Sequence, residues 1–577
     1  MIFDQFVYHP LQAGHIRVLI LSHDAPARMR HIDLKHRSGP KYVALSYTWG
    51  ANTQTHPYEC DAQNLPVREN LLHALSQLRH IVDTPIWIDA MCINQSDEIE
   101  KLAQIQMMTE IYRGAQEVLI WLGPETLDTK IAVTQLRDIT AMLKAQKVWS
   151  PDAGKILPTA FINGIRHLMT CPWWPRLWVL QEATLAREAI FVCGSHSVPW
   201  KLLSSLAKQI KRLDLYSFFS GQDRGPEYCD GFTEILNVEI VRHMHSATLG
   251  TDLIRVCRQR ICFDPCDRVY GVIGLMVSAV RVGFTWEPGE KVDDLYPPFV
   301  QILLQLDPTA TMLSFTDTTE RNPNLPSWCP DLHYRSIANV LADHEGYHAG
   351  FKILSSTEFD WKHSERKPKQ LRTKSIIIDA VKTVFPEHWP DGADALNDDN
   401  RTVQQTNIHL LQEYIKIAKS FVVEKELWRI FIGNILGNED SKLNLLSGFS
   451  PIHDRLASRR SRDEASAHHL AFQELQTWSP SAGEASPQMQ NYVRKARRVC
   501  LGRKLFTTAK GRVGLGPTSV AVGDEVCIIK CARVPFLLSR HGEERGEYRL
   551  RGEAYVHGLM HGEYLKVNKK FDWVTIV

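Results

Sequence analysis

Lys41-Tyr-Val-Ala-Leu-Ser-Tyr-Thr-Trp-Gly50 is apolar almost without interruption up to Ser46, and then turns polar and aromatic. A run of that character fits a strand buried on both faces, the mark of a parallel sheet covered by helices. Open α/β sheets bind ligands outside the carboxyl ends of their strands. Ser46, Tyr47, Trp49 and Gly50 are therefore candidate site residues by position, with strand-end packing as the alternative.

Outward from this strand the pattern repeats. His15 to Leu21 is β-branched and apolar, bounded by Gly14, and predicts a strand before it. Asn64 to Arg79 brings Leu71, Leu75 and Leu78 to one helix face, and Thr84-Pro85 forces the chain out of helix. Pro85 to Gln95 predicts another buried strand, with Asp89, Cys92, Asn94 and Gln95 in or just after its apolar run. Burying such groups unpaired costs about 1–3 kcal/mol each, so they require partners in the protein or in a ligand. Asp97-Glu-Ile-Glu100 fits a capping box, opening a helix with Leu102, Ile105, Met108 and Tyr112 inward and Gly114 at its end. Glu117–Gly123 and Glu188–Gly194 add two more strands. Strand and helix alternate throughout, which predicts an α/β fold with a parallel sheet flanked by helices, because each parallel crossover needs a covering element.

Between the last two strands lies Cys171-Pro-Trp-Trp-Pro-Arg-Leu-Trp-Val-Leu-Gln-Glu-Ala183. With Pro175 in the first turn of a helix, Trp178 and Glu182 fall at i and i+4 on one face, beside Gln181. A carboxylate held against aromatic surface is partly desolvated, which raises its pKa and suits it for acid/base or electrostatic work. A surface glutamate beside a packed tryptophan is the plainer alternative.

The remainder reads as helical from Trp200 to Leu306, with Leu202, Leu206, Ile210 and Leu213 on one face and prolines in the first turn of Asp294–Leu304. A rigid turn at Leu325–Asp331, a strand at Ser375–Val384 and a helix over 404–437 follow. Arg455 to Ala467 is charged enough for a surface segment or linker. From Lys504 onward, short glycine-spaced β runs predict a small antiparallel barrel-like unit. The domain division expected is 1–200, a mostly helical middle over 201–400, a helical segment with linker over 401–503, and the β unit over 504–577.

Composition bounds function. At 577 residues the chain is too long for one core. A net charge of +2 gives no basic field for nucleic acid, and no apolar run approaches a membrane span, so a soluble, intracellular protein is expected. The 12 cysteines suit reduced thiols. Cys257, Cys262 and Cys266, with His243 and His245 upstream, match no common zinc spacing, so no metal is expected.

Three segments in combination resemble the fungal heterokaryon-incompatibility (HET) domain family: Tyr42–Gly50; Ile86–Gln95 with its continuation to Tyr112 and Trp121-Leu-Gly123; and Trp173–Gly194 with Arg176-Leu-Trp-Val-Leu-Gln-Glu182. Asp264–Gly271, Leu325–Asp331 and the glycine-rich tail resemble the usual accompaniment of that domain. Pro175 is a local departure, standing where the family often has a basic residue. The HET family is in turn similar in layout to Toll/interleukin-receptor (TIR) domains, with Ser46-Tyr47 similar to their first-strand signature and Trp178-x-x-x-Glu182 to their third-helix motif.

The resemblance implies a TIR/flavodoxin-like N-terminal domain acting in cytoplasmic non-self recognition and programmed cell death. It nominates Glu182 as the catalytic residue of an NAD glycohydrolase, with Trp178 as its packing partner. Ser46, Tyr47, Trp49, Gly50, Asp89, Cys92, Asn94, Gln95 and Gln181 would line the site, NAD being substrate and no cofactor being needed. The alternative is an adaptor without turnover, which associates with its own kind or with another incompatibility protein. Nucleophilic hydrolysis by Cys92 lacks a histidine in the same motifs to activate the thiol.

Overall fold

The computed structural model of the chain describes residues 5–35, 41–50, 53–146, 157–213, 215–219, 231–243, 249–258, 260–276, 289–307, 309–316, 321–334, 340–343, 347–350, 359–360, 369–388, 401–422, 424–433, 454–479, 485–542, 546–567 and 570–577. His245 and residues 434–437 lie outside them. The chain divides into two compact units, Met1–Leu295 and Tyr296–Val577, so the first reaches beyond residue 200.

The first unit is built on a seven-stranded mixed sheet. Its strands are β1 (His15–Ile20), β2 (Arg28–Asp33), β3 (Val43–Ser46), β6 (Ile86–Trp87), β7 (Val118–Trp121), β8 (Ala189–Cys193) and β9 (His196–Pro199), in the order β2-β1-β6-β3-β7-β8-β9. β6, β3, β7 and β8 run parallel. In chain order these four read second, first, third, fourth, which is the flavodoxin-like arrangement with its switch point between β3 and β7. β1, β2 and β9 are antiparallel additions, so the sheet is not purely parallel. The β8–β9 hairpin needs only Gly194-Ser195, with Gly194 at φ +54.

The stretches between β3 and β7 depart from the sequence reading. Gln63–Arg68 (β5) is a strand paired with Thr55–Cys60 (β4), and helix α1 begins only at Glu69 and runs to Leu78. The turn between them places Asp61 and Ala62 at φ +51 and +58, a conformation for which Asp-Ala is a weak signal. Beyond β6, the chain turns at once into the short helix α2 (Asp89–Cys92). Helix α3 (Glu98–Gly114) is capped by Asp97, whose side chain accepts from the N–H groups of Ile99 and Glu100. Glu100 does not complete the capping box. Its carboxylate pairs instead with buried Arg17 on β1. Leu102 and Ile105 are only half-buried, while Met108 and Tyr112 are buried as expected.

Helices α4 (Leu127–Ala145), α5 (Thr159–Met169), α6 (Val179–Leu185), α7 (Trp200–Arg212), α8 (Tyr216–Phe219), α9 (Gly231–His243), α10 (Leu249–Arg258) and α11 (Asp267–Ile273) are further described helices of the unit. On α7 the buried face uses Leu203 rather than Leu202, together with Leu206 and Ile210.

In the second unit, β10 (Leu371–His388) pairs in succession with β17 (Asp572–Ile576), β13 (Glu525–Ile529) and β11 (Arg503–Thr508). With β14 (Phe536–Arg540) and β15 (Glu547–Glu553), strands β13, β17 and β10 close a ring; β11, β12 (Val513–Pro517) and β16 (Tyr555–Val556) extend the sheet from β10. The C-terminal β unit therefore takes a strand from well before residue 504. Its core includes Ile376, Ile378, Phe506, Val526, Ile528 and Leu537. Helix Arg401–Ala418 and helix Glu424–Phe431 cover the region read as one helix, and 455–467 belongs to helix Asp454–Thr477 rather than to a linker. Pro297 and Pro298 lie inside helix Val292–Leu306, not in its first turn. Among the described residues no helix is long and apolar enough to cross a membrane, and no group of three or more His, Cys, Asp or Glu is placed to hold a metal.

Candidate active site

Ser46 ends β3 at the switch point, opposite Ile120 of β7. Trp173 Nε1 lies 2.7 Å from Ser46 Oγ, which in turn bonds Glu182 Oε2 on α6. An indole N–H only donates, so Ser46 accepts from Trp173 and keeps its own hydroxyl hydrogen for the carboxylate. Glu182 is 4% exposed. Burial pushes its carboxyl up to about 7, against the opposing pull of the Arg176 guanidinium and the Ser46 hydrogen bond, while Asp89 adds to the rise.

Asp89 stands just beyond β6, at the first position of α2. Its Oδ1 accepts from Ala90 N at 2.7 Å and its Oδ2 from Trp49 Nε1 at 3.0 Å, and Gln95 Nε2 donates to its carbonyl at 3.0 Å. Tyr47 also hydrogen-bonds the carboxyl. Burial raises the Asp89 carboxyl above its usual value, Arg176 and these donors opposing. Arg176 Nη1 donates to Tyr47 O. Tyr47 and Tyr112 are both buried with phenols raised well above the ordinary value, first by burial and then by the carboxylates nearby.

The loop after β3 is held in place from below. Asn70 Nδ2, in the first turn of α1, donates to Thr48 O at 2.6 Å, and Trp121 Nε1 at the end of β7 donates to Asn70 Oδ1 at 3.1 Å. The Arg68 guanidinium lies 5.2 Å over the Trp49 ring.

Of the residues expected at the site, Ser46, Tyr47, Trp49, Asp89 and Glu182 come together, with Gln95 supporting Asp89. The others do not join them. Trp178 precedes α6 and bonds Asp267, so the indole that serves Glu182 is Trp173. Pro172 and Pro175 disfavour helix at the residues before them, and the chain passes in turns to Val179, where α6 starts. Pro175 is therefore not in a first turn. Cys92 is fully buried, its Sγ accepting from Ile88 N at 3.3 Å, and burial pushes its thiol up to about 12. That leaves no thiolate for nucleophilic work. Asn94 Oδ1 accepts from Ser96 N at 3.2 Å in its own loop. Gly50 is exposed at φ +79. Gln181 Nε2 donates to Tyr270 O at 2.9 Å, packed so closely by Gly274 that a Cβ there would lie 3.0 Å from Gln181 Oε1.

Trp173, Arg176, Tyr112 and Asn70 were missed. Trp173 and Arg176 lie inside the quoted 171–183 run, but a helix drawn from Pro175 hides that a turn presents them. Cys257 and Cys266 are buried and Cys262 is half-buried.

Residues 42–182 match the family Heterokaryon incompatibility protein (HET), and residues 475–576 match the Het-6 beta-barrel domain. Ser46, Asp89, Trp173, Arg176 and Glu182 all fall within the first match. The chain is also similar to "Heterokaryon incompatibility protein 6, OR allele" of Neurospora crassa, 23% identical over 651 aligned positions covering 93% of this chain and 92% of that protein. No solved structure matches. The resemblance to HET proteins is thus shown, by two matches in one chain and an end-to-end relative.

Proposed function

We propose that this chain acts in fungal non-self recognition and programmed cell death, in the cytoplasm, as a HET-type protein whose N-terminal unit is the effector. We further propose that this unit hydrolyses the nicotinamide–ribose bond of NAD or a related nucleotide through Glu182. The role follows the HET matches and the relative's name. One observation carries the chemistry: the Glu182 carboxyl, bonded by Ser46 at the end of β3, is buried beside the Asp89 carboxyl, and the Arg176 guanidinium acts on both. A carboxyl so placed can face a developing positive charge, and the ribose of NAD develops one as nicotinamide leaves.

In the reaction, the C1′–nitrogen bond breaks and nicotinamide leaves with the bonding pair as a neutral base. The ribose becomes oxocarbenium-like, and the Glu182 carboxylate stabilises that charge. Water then bonds C1′, and its proton passes to Glu182 and on to solvent. Ser46 holds the carboxylate in its orientation, and the balance closes with water alone.

The near-complete burial of Glu182 favours a second reading. In it the Trp173–Ser46–Glu182 chain holds the fold together, and the unit signals by associating with a second copy or with another incompatibility protein. Cell death on overexpression separates the two. Glu182→Gln abolishes killing and NAD loss if the site turns over. It leaves killing intact, while charge reversals on exposed helices abolish it, if the unit is an adaptor.

A further inference from the structure

The turn that presents Trp173 and Arg176 to Glu182 is held from outside the matched segment. Arg260, 1% exposed, donates from one nitrogen, Nη1, to both Trp174 O and Arg176 O at 3.1 Å. Its Nη2 pairs with Glu234 of α9. Its own carbonyl accepts from Arg268 Nη2 at 2.7 Å. Next to it, Ile261 N donates to Pro175 O and Leu177 N donates to Ile261 O, at 2.5 and 2.8 Å. The same helix α9 also holds the residue after Glu182, where Arg242 Nε donates to Ala183 O at 3.2 Å. At Gly231, where α9 begins, a Cβ would lie 2.8 Å from Trp174 Nε1.

A buried arginine–glutamate pair is a poor source of stability compared with an apolar pair of the same size. Here the guanidinium is spent on the two carbonyls that flank Pro175 and Arg176, which an apolar pair could not hold. We propose that Arg260, itself fixed by Glu234, is a positioning residue that sets Trp173 and Arg176 against Glu182, so that the site is completed by Glu234, Arg260 and Arg268, which lie beyond the HET match. The proposal deepens the catalytic reading and rests on it for its kinetic consequence, though not for its geometric one.

The test uses the full chain, with Arg260→Lys as the variant. A lysine keeps the charge but has no planar fork to span Glu234 and two carbonyls together. The first readout is the titration of the Glu182 carboxyl by carbon-13 NMR, assigned by its loss in Glu182→Gln. Ser46, Asp89, Tyr112 and Arg176 face that carboxyl, and the substitution leaves all four in the chain. The expected result is a midpoint above that of the wild-type chain, because Arg176 is no longer held near. The second readout is NAD hydrolysis, in which kcat falls about tenfold while KM stays within about twofold. A folded Arg260→Lys protein with unchanged midpoint and unchanged kcat overturns the proposal. If Arg260→Lys does not fold, Glu234→Gln, which keeps the acceptor oxygen, is read by the same two measures. If the wild-type chain does not turn over NAD, the catalytic reading falls by itself and the midpoint alone decides the positioning claim.

Discussion

Ser46 and Glu182, 136 residues apart in the chain, are joined by a hydrogen bond whose direction is set by the indole of Trp173 behind it. Removing the hydroxyl in Ser46→Ala leaves Trp173 Nε1 without its acceptor and Glu182 without its donor. A buried group so orphaned costs about 1–3 kcal/mol. The loss is expected to be largest above pH 7, where Glu182 is ionised, and smaller at pH 5, where it carries a proton. Urea unfolding of the two proteins at both pH values checks this.

Glu182 itself is predicted to destabilise the fold at neutral and alkaline pH. Its pKa rises from 4.5 to about 7 on folding, so the unfolded chain ionises first. The stability it contributes is full below pH 4.5 and is lost as pH rises through about 7. Glu182→Gln removes that loss. The variant should equal wild type near pH 4.5 and exceed it by up to about 3 kcal/mol at pH 8, as read by unfolding curves against pH.

Arg176 opposes the rise of both buried carboxyls. In Arg176→Met both should titrate higher still. If turnover needs ionised Glu182, the acidic limb of the kcat profile should move toward alkaline pH by about one unit. A profile that only drops, with no shift, would assign Arg176 to holding Tyr47 O rather than to the electrostatics.

The two tryptophans flanking this turn should behave differently. Trp173→Phe takes the donor from Ser46 and is expected to cut nicotinamide release about tenfold. Trp178→Phe touches Asp267 and should leave release within about twofold. Equal effects would contradict the assignment of Trp173 as the site indole.

Much of this is legible in the sequence. The buried strand at Val43–Ser46 and the alternation that makes the sheet follow from apolar runs, and motif resemblance nominates Ser46 and Glu182 for one site without saying that they bond. What escaped was local. Two prolines broke the expected helix and exchanged Trp178 for Trp173, and an Asp-Ala turn hid the β4–β5 hairpin. Arg260 and Glu234 could not have been found from local pattern, because their role depends on which carbonyls they meet. The second unit gave a similar lesson: a strand at 371–388 has no sequence signal saying that its partners lie more than a hundred residues later.

Glu182, on the reading proposed, works on a bound ribose. The most direct test is to incubate the purified full-length chain and its Glu182→Gln variant with NAD and measure free nicotinamide, with unfolding curves confirming that both are folded. Release by wild type and its loss, by a hundredfold or more (about 2.7 kcal/mol or more), in a folded variant is the result predicted. Equal release by both proteins, or none from wild type while cells expressing either one still die with normal NAD, would contradict it.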